Sequence, residues 1–101
     1  MDINTSEECL DLLHLIQEDS NISQRELARK SGLSLGKVNY CIKALAEIGY
    51  IKINNFKNSD SKLNYLYLLT PKGISNKAII TKNFLRLKQQ EYDKLKSYLP
   101  K

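Results

Sequence analysis

Residues 34 to 43 carry hydroxyl, amide and ammonium groups on one face of a single predicted helix. The apolar residues at helical spacing, expected to face the core, are Leu35, Val38, Cys41, Ile42 and Leu45. The residues left facing outward are Ser34, Gly36, Lys37, Asn39, Tyr40 and Lys43. An asparagine amide can bond an adenine edge at two points, whereas lysine reaches guanine or phosphate. This face therefore predicts contact with nucleic acid, with Asn39 and Tyr40 as candidates for reading bases.

Other polar residues flank this helix. Gln24 and Arg25 open the preceding predicted helix, where side chains are placed to touch phosphate. Lys57 and Lys62 flank a polar hairpin tip and are candidates for phosphate or minor-groove contact. Asp60 lies between these two lysines and reduces the local charge. For each lysine, a solvated surface charge remains an equal alternative.

Three residues at fixed spacing predict a helix-turn-helix. Ala28 is small where a second helix must cross, and Gly32, four residues on, permits a turn with positive φ. Val38 follows six positions later as the apolar residue that faces the first helix. Such a motif places its second helix in the major groove of DNA. The alternative is a helical hairpin of an unrelated bundle, which the polar face and the basic-tipped hairpin disfavour. Gly36 indicates either close approach to DNA or tolerance of one weak helix former.

Start and stop signals predict three helices before position 50. Thr5 with Glu8, and Ser23 with Glu26, match capping boxes, so the first two helices begin near these residues. Ser34 caps the third helix, and the glycines at positions 32 and 49 end the second and third. The predicted core stripe of the first helix is Cys9, Leu12, Leu13 and Ile16, widened by Leu10 and Leu15.

Beyond position 49 the apolar period changes to two, which predicts a β-hairpin. Residues 50–54 and 64–68 alternate, with a polar tip over 57–62. Ile51 and Ile53 share one predicted face, and Leu66 and Leu68 the corresponding face of the second strand.

A long final helix is predicted from Thr70-Pro71, an N-cap followed by a first-turn proline, to about Leu99. A heptad-like seam, weakened by Thr81 and Lys88, contains Ile74, Ala78, Thr81, Leu85, Lys88, Tyr92, Leu95 and Leu99. A second stripe contains Ile80, Phe84 and Leu87. Two stripes indicate two packing partners, the helix's own domain and a second copy of the chain.

The predicted fold class is therefore α+β, mainly α with a small β-hairpin: a winged helix-turn-helix domain followed by a long C-terminal helix. Residues 1–70 are assigned to the DNA-binding domain and 71–101 to dimerisation. The residues assigned to dimerisation are Ile74, Ala78, Leu85, Tyr92, Leu95 and Leu99.

Composition agrees with a polyanionic partner. The 101 residues suit one domain, and the net charge of +5 is unevenly distributed. Residues 1–31 carry seven acids against three bases, a net of −4, whereas residues 32–101 carry thirteen bases against four acids, a net of +9. Concentrated positive charge favours phosphates through counterion release.

Several function classes are disfavoured. One histidine and four scattered glycines provide no nucleophile–base pair or phosphate-cradling loop, so the sequence predicts no enzyme and no cofactor. Cys9, Cys41 and His14 are too few for a zinc site; packing is expected of both cysteines, with a redox switch as the alternative. Without a membrane-spanning apolar run or a secretory signal, a cytoplasmic location is expected.

The sequence resembles the winged helix core of the MarR family over roughly residues 7–99. The resemblance is carried by residues 22–28, 32–34, Val38 with Leu45, 49–51, and Leu69-Thr70-Pro71-Lys72-Gly73, which is similar to the family's "LT-x-x-G" motif. Residues 34–41 with 56–59 are closer to a short subgroup associated with exopolysaccharide gene clusters.

The resemblance implies a dimeric transcriptional regulator, usually a repressor, that reads a pseudo-palindrome of double-stranded DNA with its third helix. The chain lacks the additional helices of longer members, which makes a small-molecule effector doubtful and places dimerisation on residues 74–99. The alternatives are a winged helix that binds another protein and a nonspecific, architectural DNA binder.

Overall fold

The computed structural model describes residues 6–57 and 63–101. Its elements are α1 (Glu7–Glu18), α2 (Gln24–Ser31), α3 (Leu35–Glu47), β1 (Ile51–Lys57), β2 (Leu63–Leu69) and α4 (Pro71–Ser97). The two strands pair antiparallel, with Ile51 opposite Leu69 and Ile53 opposite Tyr67. The order of three helices, a hairpin and a long last helix confirms the predicted fold class.

Serine side chains begin the first three helices by accepting hydrogen bonds from backbone N–H groups. Ser23 accepts from the Glu26 N–H and Ser34 from the Lys37 N–H, both at 3.1 Å, so both predicted N-caps are confirmed. The reciprocal half of the predicted capping box is not formed, because the Glu26 carboxylate accepts from Arg29 instead. In α1, however, the N-cap is Ser6, whose Oγ accepts from the N–H of Cys9 at 3.2 Å. The predicted start at Thr5 was wrong by one residue, and Thr5 itself lies outside the described residues.

The core lies between α1, α2, α3 and the root of the hairpin. All four stripe residues of α1 are buried, together with Leu27, Val38 and Ile42. Ile80 of α4 is buried against this core and Phe84 packs beside it, as predicted for the second stripe. Leu87, the third member, is 44% exposed and does not pack against the core.

The face assigned to the second strand was wrong. Tyr67 is 3% exposed and Leu69 packs partly against the core, whereas Leu68 is 40% exposed. The register explains this, because Tyr67 and Leu69 are the partners of the inward-facing Ile53 and Ile51. Residues 65–69 are all apolar or aromatic, so alternation alone does not reveal which set faces inward.

A close joint connects the start of α4 to the end of α3. The Thr70 backbone N–H donates to Tyr50 O at 3.0 Å, and the Thr70 hydroxyl donates to Gly49 O. Lys72 Nζ donates to Ile48 O at 2.9 Å. A Cβ on Gly73 would lie 2.0 Å from Tyr50 O, so only glycine permits this approach. The motif at residues 69–73 therefore builds the contact between α4 and the residues that follow α3.

The two cysteines are packing residues of the core. Cys9 is 1% exposed and Cys41 is fully buried, and neither forms a disulfide. Burial, reinforced by the neighbouring Cys9 thiol, raises the pKa of Cys41 to about 11 from its usual 9.0. The folded core therefore favours the protonated form of the Cys41 thiol.

This environment predicts slow alkylation. At pH 8, iodoacetamide should modify both thiols of the native protein only as fast as the core opens, and at once in 6 M guanidinium, as measured by mass spectrometry. Rapid labelling in native buffer would contradict the buried placement.

The raised pKa of Cys41 also determines how the stability of the fold depends on pH. Because the Cys41 thiol loses its proton at a lower pH in the unfolded chain, the free energy of unfolding should fall as the pH rises from about 9 towards 11.

Candidate nucleic-acid interface

The crossing of α2 and α3 has the geometry that the Ala28, Gly32 and Val38 spacing predicts. Gly32 has φ +77° in the turn, and its N–H donates to Ala28 O at 2.9 Å. Val38 is fully buried, while Ala28 packs partly against the core. These residues fix α3 across α2 and leave its opposite face on the molecular surface.

The outer face of α3 contains most of the residues predicted for it. Those exposed are Ser34, Gly36, Lys37, Tyr40 and Lys43, and Tyr40 is 61% exposed. Asn39 is only half-buried and lies towards the hairpin. Leu35, expected in the core, is 47% exposed, because it stands at the first position of α3, beyond the helices that cover Val38.

The fold itself accounts for one residue of this face, Ser34, and not for another, Gly36. The Ser34 hydroxyl is the N-cap of α3, so its oxygen already accepts a backbone hydrogen bond. A Cβ on Gly36 would meet no atom within 4 Å, so nothing within the described fold requires glycine there. The choice between DNA approach and simple tolerance at Gly36 therefore stays a prediction.

The positive charges on this surface differ in how far they are neutralised. Lys37 Nζ lies 3.6 Å from Glu8 Oε2 and 5.8 Å from the centre of the Tyr40 ring. Lys43 and Arg25 are exposed, and neither has an ion-pair partner within residues 6–57 and 63–101. Uncompensated surface cations such as these two are the ones best suited to phosphate.

Glu26, the residue that follows Arg25, forms an ion pair with Arg29. The Arg29 guanidinium donates to both carboxylate oxygens of Glu26, at 3.2 and 2.7 Å. These hydrogen bonds lower the pKa of Glu26 and raise the pKa of Arg29. Glu26 therefore forms its ion pair with Arg29 and not with Arg25, its neighbour in sequence.

A groove of about 590 Å³ separates α3 from the hairpin and opens at the start of α2. Its polar lining includes Gln24, Arg25, Asn39 and Lys43, the predicted contact residues nearest the hairpin. The fold thus gathers these four at one site, beside the outer face of α3. Lys57 is described only in its backbone, and Lys62 lies outside the described residues.

Sequence reasoning missed two tyrosines and a leucine of this groove. Tyr65, 44% exposed, stacks parallel to Tyr67 with ring centres 6.3 Å apart, and both line the groove with Leu35. The cross-strand partner of Tyr67 is Ile53, which was correctly assigned to the inward face. This pairing would have revealed that Tyr67 faces inward, but it can be used only when the register of the hairpin is known.

Residues 10–52 match the protein family described as winged helix-turn-helix DNA-binding. This span contains α2, α3 and most of α1, and it ends at the start of β1. The match and the observed order of elements show that these residues have the winged helix-turn-helix fold. The matched description is of a DNA-binding domain and not of an enzyme. No curated protein sequence matches the chain.

Solved structures share the fold. A MarR/EmrR family transcriptional regulator from an Acinetobacter species superposes with a TM-score of 0.67 at 20% identity, covering 87% of this chain and 61% of that one. A PadR-like transcriptional regulator from Bacillus cereus gives 0.73 at 15% identity, covering 86% and 89%. A Streptococcus mutans protein gives 0.80 at 11% identity, covering 100% and 97%.

These likenesses confirm the resemblance to MarR-type regulators at the level of the fold. The chain spans about three fifths of the length of the first of these structures. Within the described residues, no helix is both long and apolar enough to cross a membrane.

Proposed function

We propose that this protein regulates transcription by binding double-stranded DNA as a homodimer, with repression as the expected outcome. The observation that carries the proposal is the outer face of α3, where exposed polar and basic side chains stand on a helix that the fold holds across α2. A winged helix that binds another protein does not need this face to be polar and basic.

Dimerisation through α4 is supported by the exposure of its apolar residues. Every residue from 85 to 101 is exposed, and the molecule is 65 Å long against 26 and 21 Å across. The large apolar side chains of the predicted seam that are 49–68% exposed are Ile74, Leu85, Tyr92, Leu95 and Leu99. Ala78 is exposed on the same seam, whereas the Lys88 ammonium lies 3.3 Å from Glu7 of its own domain. A single chain leaves this surface in water, and a second copy would bury it.

The direct test of the proposal is selection of bound sequences from a genomic fragment library at physiological salt. A regulator should enrich a short inverted repeat, with half-sites about one helical turn apart and a specificity ratio of about 10³ or more. Uniform, salt-sensitive retention would instead indicate an architectural DNA binder. No retention would favour a protein–protein module.

Charge removal on α3 should have a defined signature. Lys43→Ala should weaken binding to all duplexes alike and lower the slope of log K against log salt by about one. Lys82→Ala, which removes an exposed lysine from α4, is the matched control and should change neither quantity. Equal effects of the two variants would show that only net charge matters, and that α3 is not the contact surface.

A further inference from the structure

Three side chains form a chain of hydrogen bonds across the groove. Gln24 Nε2 donates to the Tyr67 hydroxyl at 3.2 Å, and Asn39 Nδ2 donates to Gln24 Oε1 at 3.3 Å. These bonds connect β2, the first residue of α2, and the middle of α3. The Tyr67–Gln24–Asn39 chain therefore links the hairpin to the helix expected in the major groove.

Tyr67 is the fixed end of this chain. Its side chain is 3% exposed, and its backbone N–H donates to Ser20 O at 3.0 Å, in the segment between α1 and α2. Parallel stacking with Tyr65 further restricts the ring. A buried hydroxyl requires a partner, and Gln24 supplies it. The position of the Gln24 amide is thus set by a residue that cannot itself move freely.

Gln24 in turn orients the Asn39 amide. A carboxamide has two N–H groups and one oxygen, and Gln24 occupies only one N–H of Asn39. The second N–H and the oxygen remain, and these are the donor and acceptor that an asparagine presents to N7 and N6 of adenine. Without the Gln24 contact, this half-buried amide would be free to rotate, and its donor and acceptor would exchange places.

We propose that Tyr67 is a positioning residue for sequence recognition: through Gln24, its hydroxyl holds the Asn39 amide in the orientation that reads an A·T pair. This inference rests on the proposed function. In this proposal the hairpin contributes to base specificity through Tyr67 at its buried root, in addition to any contact that its tip makes with DNA.

The test compares Tyr67→Phe with Asn39→Ala on a duplex selected by the wild type from a random-sequence pool. Both variants should lose the preference for A·T at the same position, with discrimination falling about tenfold, because one bidentate base contact is affected. In both variants, affinity for a mixed-sequence duplex should fall by less than affinity for the selected duplex, because the phosphate contacts are retained. Tyr50→Phe is the matched control, since Tyr50 is another buried tyrosine, 7% exposed, that does not line the groove; it should retain the wild-type preference.

NMR of the free protein tests the linkage without DNA. In Tyr67→Phe, the side-chain amide resonances of Gln24 and Asn39 should both shift, whereas in Tyr50→Phe they should stay in place. Unchanged Asn39 resonances would overturn the inference, as would a Tyr67→Phe variant with the wild-type base preference or with an equal loss of affinity for all duplexes. A wild type that selects no sequence would overturn the proposed function itself, which distinguishes the two failures.

Discussion

Gly73→Ala should destabilise the fold by about 3 kcal/mol, because Gly73 is the one of the four glycines at which an added methyl group overlaps backbone atoms. The new Cβ would lie 2.0 Å from Tyr50 O and 2.9 Å from Tyr50 C. These are backbone atoms at the beginning of the hairpin, so no side-chain rotation relieves the overlap. Either α4 moves away from the domain or the hydrogen bond from Thr70 to Tyr50 O breaks.

The measurement is urea unfolding followed by circular dichroism, with all variants at one protein concentration because the proposed dimerisation would add to apparent stability. Gly36→Ala is the matched control: it adds the same methyl group inside a helix, but into open space. It should stabilise the fold by about 0.5–1 kcal/mol, because alanine loses less conformational entropy than glycine. A Gly73→Ala variant as stable as the wild type would show that α4 does not pack against Tyr50.

Leu85→Asp combined with Leu95→Asp should convert the protein into a monomer and lower its affinity for an inverted repeat by about 100-fold or more. Both side chains are more than 60% exposed in the single chain, so the fold of each domain should be retained. The dimer should dissociate because two carboxylates in an apolar interface are poorly solvated. The affinity for the inverted repeat should then fall because the second half-site is bound by an independent molecule.

Sedimentation velocity over a range of concentrations reports the monomer, and titration of duplexes with one or two half-sites reports the affinity. Ile79→Asp is the matched control, since Ile79 is a 54% exposed apolar residue of α4 outside the seam. It should remain dimeric. A wild type that sediments as a monomer at every concentration would contradict dimerisation, and a dimeric double variant would place the interface elsewhere.

The succession of elements was predictable from the sequence because each boundary has a local chemical cause. Ser23, Ser34 and Thr70 cap three helices through their own side chains, and Gly32 ends α2 with a positive φ. The core stripe of α1 followed from spacing alone. Such signals act over three or four residues, so they are visible in the chain without knowledge of the fold.

Apart from the one-residue error at the start of α1, the errors concern contacts between residues distant in sequence. Tyr67 was missed because its burial depends on hairpin register, and the role of Gly73 depends on a carbonyl 23 residues earlier in the chain. Leu35 was placed inside because helical spacing does not show where the covering helices stop. The polar groove residues at the start of α2 and on α3 were predicted from their residue types. The hydrogen bond between Gln24 and Asn39 could not be predicted, because it depends on how α2 and α3 cross.

Because α4 is anchored at Thr70 and Gly73, a small change of its angle there displaces its far end by a large distance. A helix of 27 residues is about 40 Å long, so a tilt of about 10° at its anchored end displaces its free end by about 7 Å. In a dimer paired along α4, the same tilt would change the separation of the two α3 helices by an amount set by the distance from the pivot to α3. The residues that follow α3 are hydrogen-bonded directly to the pivot, so in such a dimer the angle at Gly73 would influence which distance between half-sites can be spanned.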